Sequence, residues 1–197
     1  MAGWTSGAVA AAEAPVVLVV GDSLSAEYGL KAGAGWVALL QARLAEQKKP
    51  QRVVNASISG DTTSGGRSRL PAALRTHKPA IVIIELGGND ALRGLPLAST
   101  RDNLLAMTHA AQAAGAKVIV VGMQVPPNYG AAYGREFEGL FTDVAKQARA
   151  ALVPFLLKGV ADRADALDWF QPDRIHPLAK AHPLMLDNVW PALRPLL

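Results

Sequence analysis

Val16-Val17-Leu18-Val19-Val20-Gly21-Asp22-Ser23-Leu24-Ser25 decides how this chain is read. The run of valines and one leucine has the pattern of a strand buried on both faces. It stops at Gly21, and the turn that follows offers the Ser23 hydroxyl at the strand's C-terminal tip. In open α/β sheets ligands bind at that edge. A serine there is a candidate nucleophile, provided that the rest of the chain supplies a base and donors for an oxyanion.

Outward from this stretch, strands and helices alternate. Trp36, Leu39, Leu40 and Leu44 follow helical spacing. An apolar strand is expected at Arg52–Ala56, a helix around Gly66–Thr76 and a third strand at Ala80–Leu86. Ser99 and Asp102 form a capping-box pattern for a helix that reaches about Ala114 and stops at Gly115. Lys117–Gly122 reads as a fourth strand, Tyr133–Ala150 as a helix, and Leu152–Leu156 as a short fifth strand. A last helix starts at Pro183, with Leu186, Val189, Trp190 and Leu193 on its core face; Pro191 predicts a kink or an early end. This order implies an α/β fold, a flavodoxin-like three-layer α/β/α with a five-stranded parallel sheet in the order 2-1-3-4-5.

Composition sets the outer bounds. The chain has 197 residues, half of them apolar and 18% charged, which suits a globular domain with a substantial core. Its net charge is +4 and no run of Lys or Arg exceeds two, so nucleic-acid binding is not indicated. It has no cysteine, which excludes disulfides, thiolate metal sites and a cysteine nucleophile. No apolar run approaches the ~18 residues of a membrane span, and no His, Asp and Glu cluster has metal-ligand spacing, so neither metal nor cofactor is expected. Ala8 to Ala14 is almost all small residues, and Ala10-Ala11-Ala12 is an A-x-A-like pattern, as at the end of a secretory signal peptide. A charged n-region and a full h-region are missing, so residues 1–14 read as a signal-peptide remnant or a disordered extension. Residues 15–197 then form a single domain.

Three strands end in polar, Gly-containing loops. The first carries Ser23; the second is Ser57-Ile58-Ser59-Gly60-Asp61-Thr62; the third is Gly87-Gly88-Asn89-Asp90. With strand 1 between strands 2 and 3, all three meet at one edge. Gly60 lets its backbone N–H approach a substrate, Asn89 offers an amide donor, and Ser23 adds its own N–H. Attack on a carbonyl builds negative charge on oxygen, and fixed donors of this kind stabilise it. Of the four histidines, His176 in Asp173-Arg174-Ile175-His176-Pro177 is the candidate base. Asp173, three residues earlier, can hold its Nδ1–H and stabilise the imidazolium. His182 reads as a residue at a helix start, and His77 and His109 as solvated helix positions.

Taken together, these blocks resemble the GDSL/SGNH hydrolase superfamily from about Val16 to Leu197. The Ser, Gly, Asn and His of that family's blocks match Ser23, Gly60, Asn89 and His176. Asn55–Thr62, Glu85–Gly94 and Val125-Pro126-Pro127-Asn128-Tyr129-Gly130 are most similar to the bacterial multifunctional thioesterase I, arylesterase and lysophospholipase branch. The resemblance implies a serine hydrolase of esters or thioesters working through an acyl-enzyme, with Ser23, Asp173 and His176 catalytic. Ser23, Gly60 and Asn89 would form the oxyanion hole, and Leu92, Val125 and Pro126 would contact the acyl group. It also implies export to the periplasm or beyond, and a monomer or weak oligomer is expected. Leu178 departs from the pattern where Asn is common, which should alter local contacts of the histidine loop.

Two other readings fit parts of the chain. Gly60–Gly66 is rich in Gly and hydroxyls and could cradle a phosphate, but Arg67 stands where a P-loop needs Lys. A carbohydrate deacetylase on the same scaffold differs only in substrate. A G-x-S-x-G hydrolase is excluded because position 25 is Ser.

Overall fold

The computed structural model describes residues 13–197. The expected signal remnant at residues 1–14 therefore lies, apart from Glu13 and Ala14, outside the described residues. Five strands form one parallel sheet in the order β2-β1-β3-β4-β5. They are β1 (Val16–Gly21), β2 (Arg52–Asn55), β3 (Ile81–Glu85), β4 (Lys117–Val121) and β5 (Ala151–Val153).

Burial follows the sequence pattern. Every residue of β1 and β3 is buried, as central parallel strands of β-branched residues require. The edge strand β2 is half exposed and correspondingly polar at both ends. The helices are α1 (Trp36–Glu46), α2 (Thr63–His77), α3 (Gly88–Leu92), α4 (Leu97–Ala113), α5 (Ala131–Ala148) and α6 (His182–Leu193). Parallel crossovers are right-handed. The β1-to-β2 crossover runs in the opposite direction to the later ones, so α1 falls on the face opposite α2, α4 and α5. Accordingly α1 packs with α6, while α4 packs with both α2 and α5. Buried stripes at helical spacing cover the sheet, such as Phe137, Leu140, Phe141, Val144 and Ala148 on α5.

Several expected boundaries shift. The capping box at Ser99 and Asp102 does not form. Helix α4 already starts at Leu97, and the Ser99 and Thr100 N–H groups donate to the Pro96 carbonyl. Pro96 supplies that first acceptor and sets the chain direction, so Ser99 falls inside the helix and Asp102 lies on its exposed side. Pro191 does not end α6 early, because it stands in the last turn, where the helix passes into a 3-10 turn at Arg194–Leu196. Trp190 is half-buried, with the Arg43 guanidinium 5.4 Å from its ring centroid. The fifth strand is Ala151–Val153, shorter and earlier than expected.

Sheet order places the site. The chain leaves β1 toward β2 and leaves β3 toward β4, so the direction of winding reverses between β1 and β3. A crevice opens at such a point. The loop after β1 carries Ser23, and the loop after β3 carries Asn89.

Candidate active site

Ser23 lies in the turn after β1, partly buried. Its Oγ is 2.9 Å from His176 Nε2, and His176 Nδ1 is 2.7 Å from Asp173 Oδ2. Local chemistry explains the three-residue spacing. Asp173 Oδ1 accepts the backbone N–H groups of Ile175 (2.9 Å) and His176 (3.0 Å), an Asx-type turn that leaves Oδ2 free for the imidazole. An antiparallel bridge between Phe170 and Pro177 closes this loop, helped by the Leu178 N–H donating to the Trp169 carbonyl at 2.8 Å. Burial pushes the Asp173 carboxyl up. The N–H bonds from His176 and Ile175 and the imidazole outweigh it and bring it down to about 2.

The Gly60 loop is fixed from several sides. Gly60 has φ +79°, a backbone conformation that suits glycine. Its carbonyl accepts Arg93 at 2.7 Å, and the Ile58 N–H donates to the Gly21 carbonyl at 3.0 Å. Arg69 on α2 pairs with Asp61 at 2.7 Å and donates to the carbonyls of Ala56 and Gly21. Buried Asp90 accepts the Thr63 N–H (2.9 Å) and the Thr63 hydroxyl, tying the start of α2 to α3. That carboxylate takes the Thr63 N–H, and the Asp61 and Thr62 side chains take the Thr62 and Gly65 N–H groups, so much of Gly60–Gly66 is already engaged. Among the described residues, the N–H groups of Ser23 and Gly60 have no hydrogen-bond partner.

Asn89 is not in an open loop as expected. It sits in the one-turn helix α3, too short to leave a periodic signal. Its Nδ2 donates to Asp22 Oδ2 at 3.0 Å. Asp22 and Glu85 are the site features that the sequence reading missed. Asp22 Oδ1 accepts the Leu24 N–H at 3.0 Å. Burial raises the Asp22 carboxyl to about 6, against the lowering effect of the Leu24, Asn89 and His176 contacts. Glu85 lies beside Gly21 in the β1–β3 register and is fully buried. Its Oε2 accepts the Ser25 hydroxyl (2.7 Å) and the Asp22 N–H (3.3 Å), while the Trp36 indole donates to Ser25 Oγ. Burial, and then the nearby Asp22 charge, raise it well above the ordinary glutamate range, so it stays a neutral acid. A Cβ on Gly21 would come within 2.7 Å of Glu85 Oε2, which explains the glycine there.

Two further residues hold the histidine loop. The Tyr28 ring lies 4.2 Å from the His176 ring, centroid to centroid. Gln171 donates from Nε2 to the Tyr28 carbonyl (2.9 Å) and from its N–H to the His176 carbonyl (2.7 Å). His182 opens α6, buried, and accepts the Trp36 N–H at 3.0 Å, as a helix-start residue. Of the expected acyl contacts, Leu92 is exposed at the end of α3, Val125 is half-buried against the core, and Pro126 is exposed. A cleft of about 430 Å³ lies between α4 and α5, along Leu97, Arg101, Arg135 and Leu140, and none of the three borders it.

Comparison with known proteins places these residues in context. A model of the GDSL-like Lipase/Acylhydrolase family matches residues 19–184. Esterase TesA of Pseudomonas aeruginosa is 54% identical over 186 residues, covering 94% of this chain and 91% of that protein. Thioesterase 1/protease 1/lysophospholipase L1 of Escherichia coli is 41% identical over 186 residues, covering 94% and 86%. Among solved structures, the psychrotrophic esterase EstA from Pseudoalteromonas sp., inhibited by monoethylphosphonate, superposes with a TM-score of 0.85 at 38% identity, covering 91% of this chain and 97% of that one.

Proposed function

The chain belongs to the GDSL-like lipase/acylhydrolase family, and from that premise we propose how its residues carry out hydrolysis. The protein is a serine hydrolase of carboxylic esters and thioesters. Ser23 is the nucleophile, His176 the general base and Asp173 the group that holds the imidazole. The observation that carries these roles is the continuous 2.9 Å and 2.7 Å chain from Ser23 Oγ through His176 to Asp173.

Asp173 accepts the Nδ1–H, which leaves the Nε2 lone pair facing the serine hydroxyl. As Ser23 Oγ bonds to the substrate carbonyl carbon, its proton passes to His176 Nε2. Negative charge collects on the carbonyl oxygen, where the Ser23 and Gly60 N–H groups and the second N–H of the Asn89 amide donate to it. His176 then protonates the departing alcohol or thiol as its bond to carbon breaks, leaving an acyl-serine. A water, deprotonated by the same imidazole, adds to the acyl carbon; the bond to Ser23 Oγ then breaks as His176 returns the proton to Oγ, releasing the acid and the free serine.

Acyl groups of short to medium length, aryl esters and lysophospholipids are the substrates within this reading. Exposed Leu92 at the end of α3 and half-buried Val125 in the loop after β4 support an open apolar groove that takes flat or short groups. Export to the periplasm or beyond belongs to the same proposal, supported by the small-residue run Ala8–Ala14; cell fractionation tests it. The functional test is a p-nitrophenyl ester series of increasing chain length on wild type and Ser23→Ala, with organophosphonate labelling of both. Wild type should turn over and be labelled, and Ser23→Ala should do neither. Labelling that persists in Ser23→Ala would overturn the nucleophile assignment.

A further inference from the structure

Asp22 directly precedes the nucleophile and bonds the Asn89 amide, and the proposed mechanism leaves it without a task. It is 2% exposed. Its two carboxylate oxygens serve different elements. Oδ1 accepts the Leu24 N–H, inside the turn that carries Ser23, and Oδ2 accepts one Asn89 Nδ2–H from α3. Asn89 Oδ1 and Nδ2 are nearly equal in size, but only Nδ2 can stabilise an oxyanion; a rotated amide would present its own carbonyl oxygen to the developing charge. The amide therefore needs a partner that accepts and cannot donate. An ionised carboxylate is such a partner, and the same carboxylate is tied to the nucleophile's turn.

We propose that Asp22 is the positioning residue of the oxyanion site: anchored through Leu24, it holds the Asn89 amide with one N–H bound and the other turned to the reacting carbonyl oxygen. This rests on the oxyanion role proposed for Asn89. An asparagine at position 22 is isosteric but inadequate. It has one acceptor where two are used, so keeping Leu24 with its oxygen sets its NH₂ against that of Asn89. The cost of burying the charge is met locally. The Leu24 and Asn89 N–H groups donate to the carboxylate, and neutral Glu85 accepts the Asp22 N–H without adding a second charge beside it.

A double-mutant cycle on a p-nitrophenyl ester tests this with wild type, Asp22→Asn, Asn89→Ala and the double variant, all checked for folding by circular dichroism. Asp22→Asn should lower kcat about 10- to 100-fold, the order for a lost bond to a charged group, with KM nearly unchanged. In the Asn89→Ala background the same change should cost less than about threefold. Full kcat in Asn89→Ala overturns the oxyanion reading, and this proposal with it. A loss in Asn89→Ala together with an equal Asp22→Asn penalty in both backgrounds, or none in either, overturns the proposal alone. If Asp22→Asn does not fold, NMR of the wild type decides. The Asn89 side-chain amide signals, identified by their loss in Asn89→Ala, should shift with the midpoint of the Asp22 carboxyl carbon. Signals that stay fixed, or that follow only the His176 ring, overturn it.

Discussion

Ser23 Oγ and His176 Nε2 stand 2.9 Å apart although 153 residues separate them in the chain. The contact needs two loops to be held independently, one by the end of β1 and the other by the Asp173 turn. Asp173 has two tasks in this. Oδ1 shapes the turn and Oδ2 orients the ring. Asp173→Asn can keep the turn with its carbonyl oxygen, but its NH₂ then faces Nδ1 and favours the wrong tautomer. We expect kcat to fall on the order of 10⁴-fold with little change in KM. With the carboxyl held down at about 2, it is ionised throughout the range in which the histidine can act, so it contributes no acid limb of its own. Steady-state kinetics of Asp173→Asn from pH 5 to 9 check both statements. Activity within about tenfold of wild type would remove Asp173 from the orienting role.

Asn89→Ala removes one of three donors and leaves the Ser23 and Gly60 N–H groups in place. The expected loss is about 10²–10³ in kcat, about 2.7–4 kcal/mol of transition-state stabilisation. Its melting temperature should fall only modestly, because Asn89 itself is partly exposed although its loss leaves the buried Asp22 Oδ2 without that donor. Parallel measurement of kcat and thermal unfolding separates this outcome from a folding defect.

What was legible in the sequence follows from the range of the interactions involved. The β1 and β3 runs declare themselves because burial on both faces demands unbroken apolar residues. Ser23, Gly60, Asn89 and His176 declare themselves because turn chemistry and reaction chemistry both restrict them. Asp22 does not, since an aspartate after a glycine is ordinary turn composition; only the meeting of β1 with β3 brings Asn89 to it. Glu85 reads as a lone polar residue in a strand. Its neutral state comes from burial beneath other segments and then from the Asp22 charge across the β1–β3 register, against the bonds from Ser25 and the Asp22 N–H. Tyr28 and Gln171 act on His176 across loops with no regular spacing. Ser99 misleads for the opposite reason: a local capping pattern is overridden by Pro96, which caps the helix three residues earlier and leaves Ser99 at its third position.

Glu85 makes a stability prediction with a definite sign. Its folded carboxyl holds a proton that the unfolded chain releases above the ordinary value of 4.5. Its contribution is therefore most favourable below that pH and is lost as pH rises toward the raised folded value. Gln in its place keeps the acceptor for Ser25 and Asp22 and cannot ionise. Between pH 5 and 7, wild type should lose stability relative to Glu85→Gln by up to about 1.4 kcal/mol per pH unit. Chemical denaturation at several pH values measures this, and parallel stability curves for the two proteins would contradict a neutral Glu85.

His182 makes the opposite prediction. Burial lowers its pKa from the ordinary 6.5, against the bond to Pro177 and the Glu27 charge, and its Nδ1 accepts the Trp36 N–H only while unprotonated. The unfolded chain takes up a proton at 6.5 that the folded protein refuses until lower pH. The stabilising contribution is thus complete above 6.5 and is lost as pH falls toward the folded value. In His182→Gln the side-chain oxygen can still accept the Trp36 N–H and no proton is gained. From pH 7 to 5, wild type should lose stability relative to His182→Gln, again by at most about 1.4 kcal/mol per unit. Because Glu85 and Asp22, both raised, gain over the same interval, each effect is read as the difference between a variant and wild type and not from the slope of one curve. Denaturation of wild type, Glu85→Gln and His182→Gln in one buffer series tests the pair. A His182→Gln curve that falls as steeply as wild type below pH 6.5 would show that the histidine takes its proton in the folded state as readily as in the unfolded one.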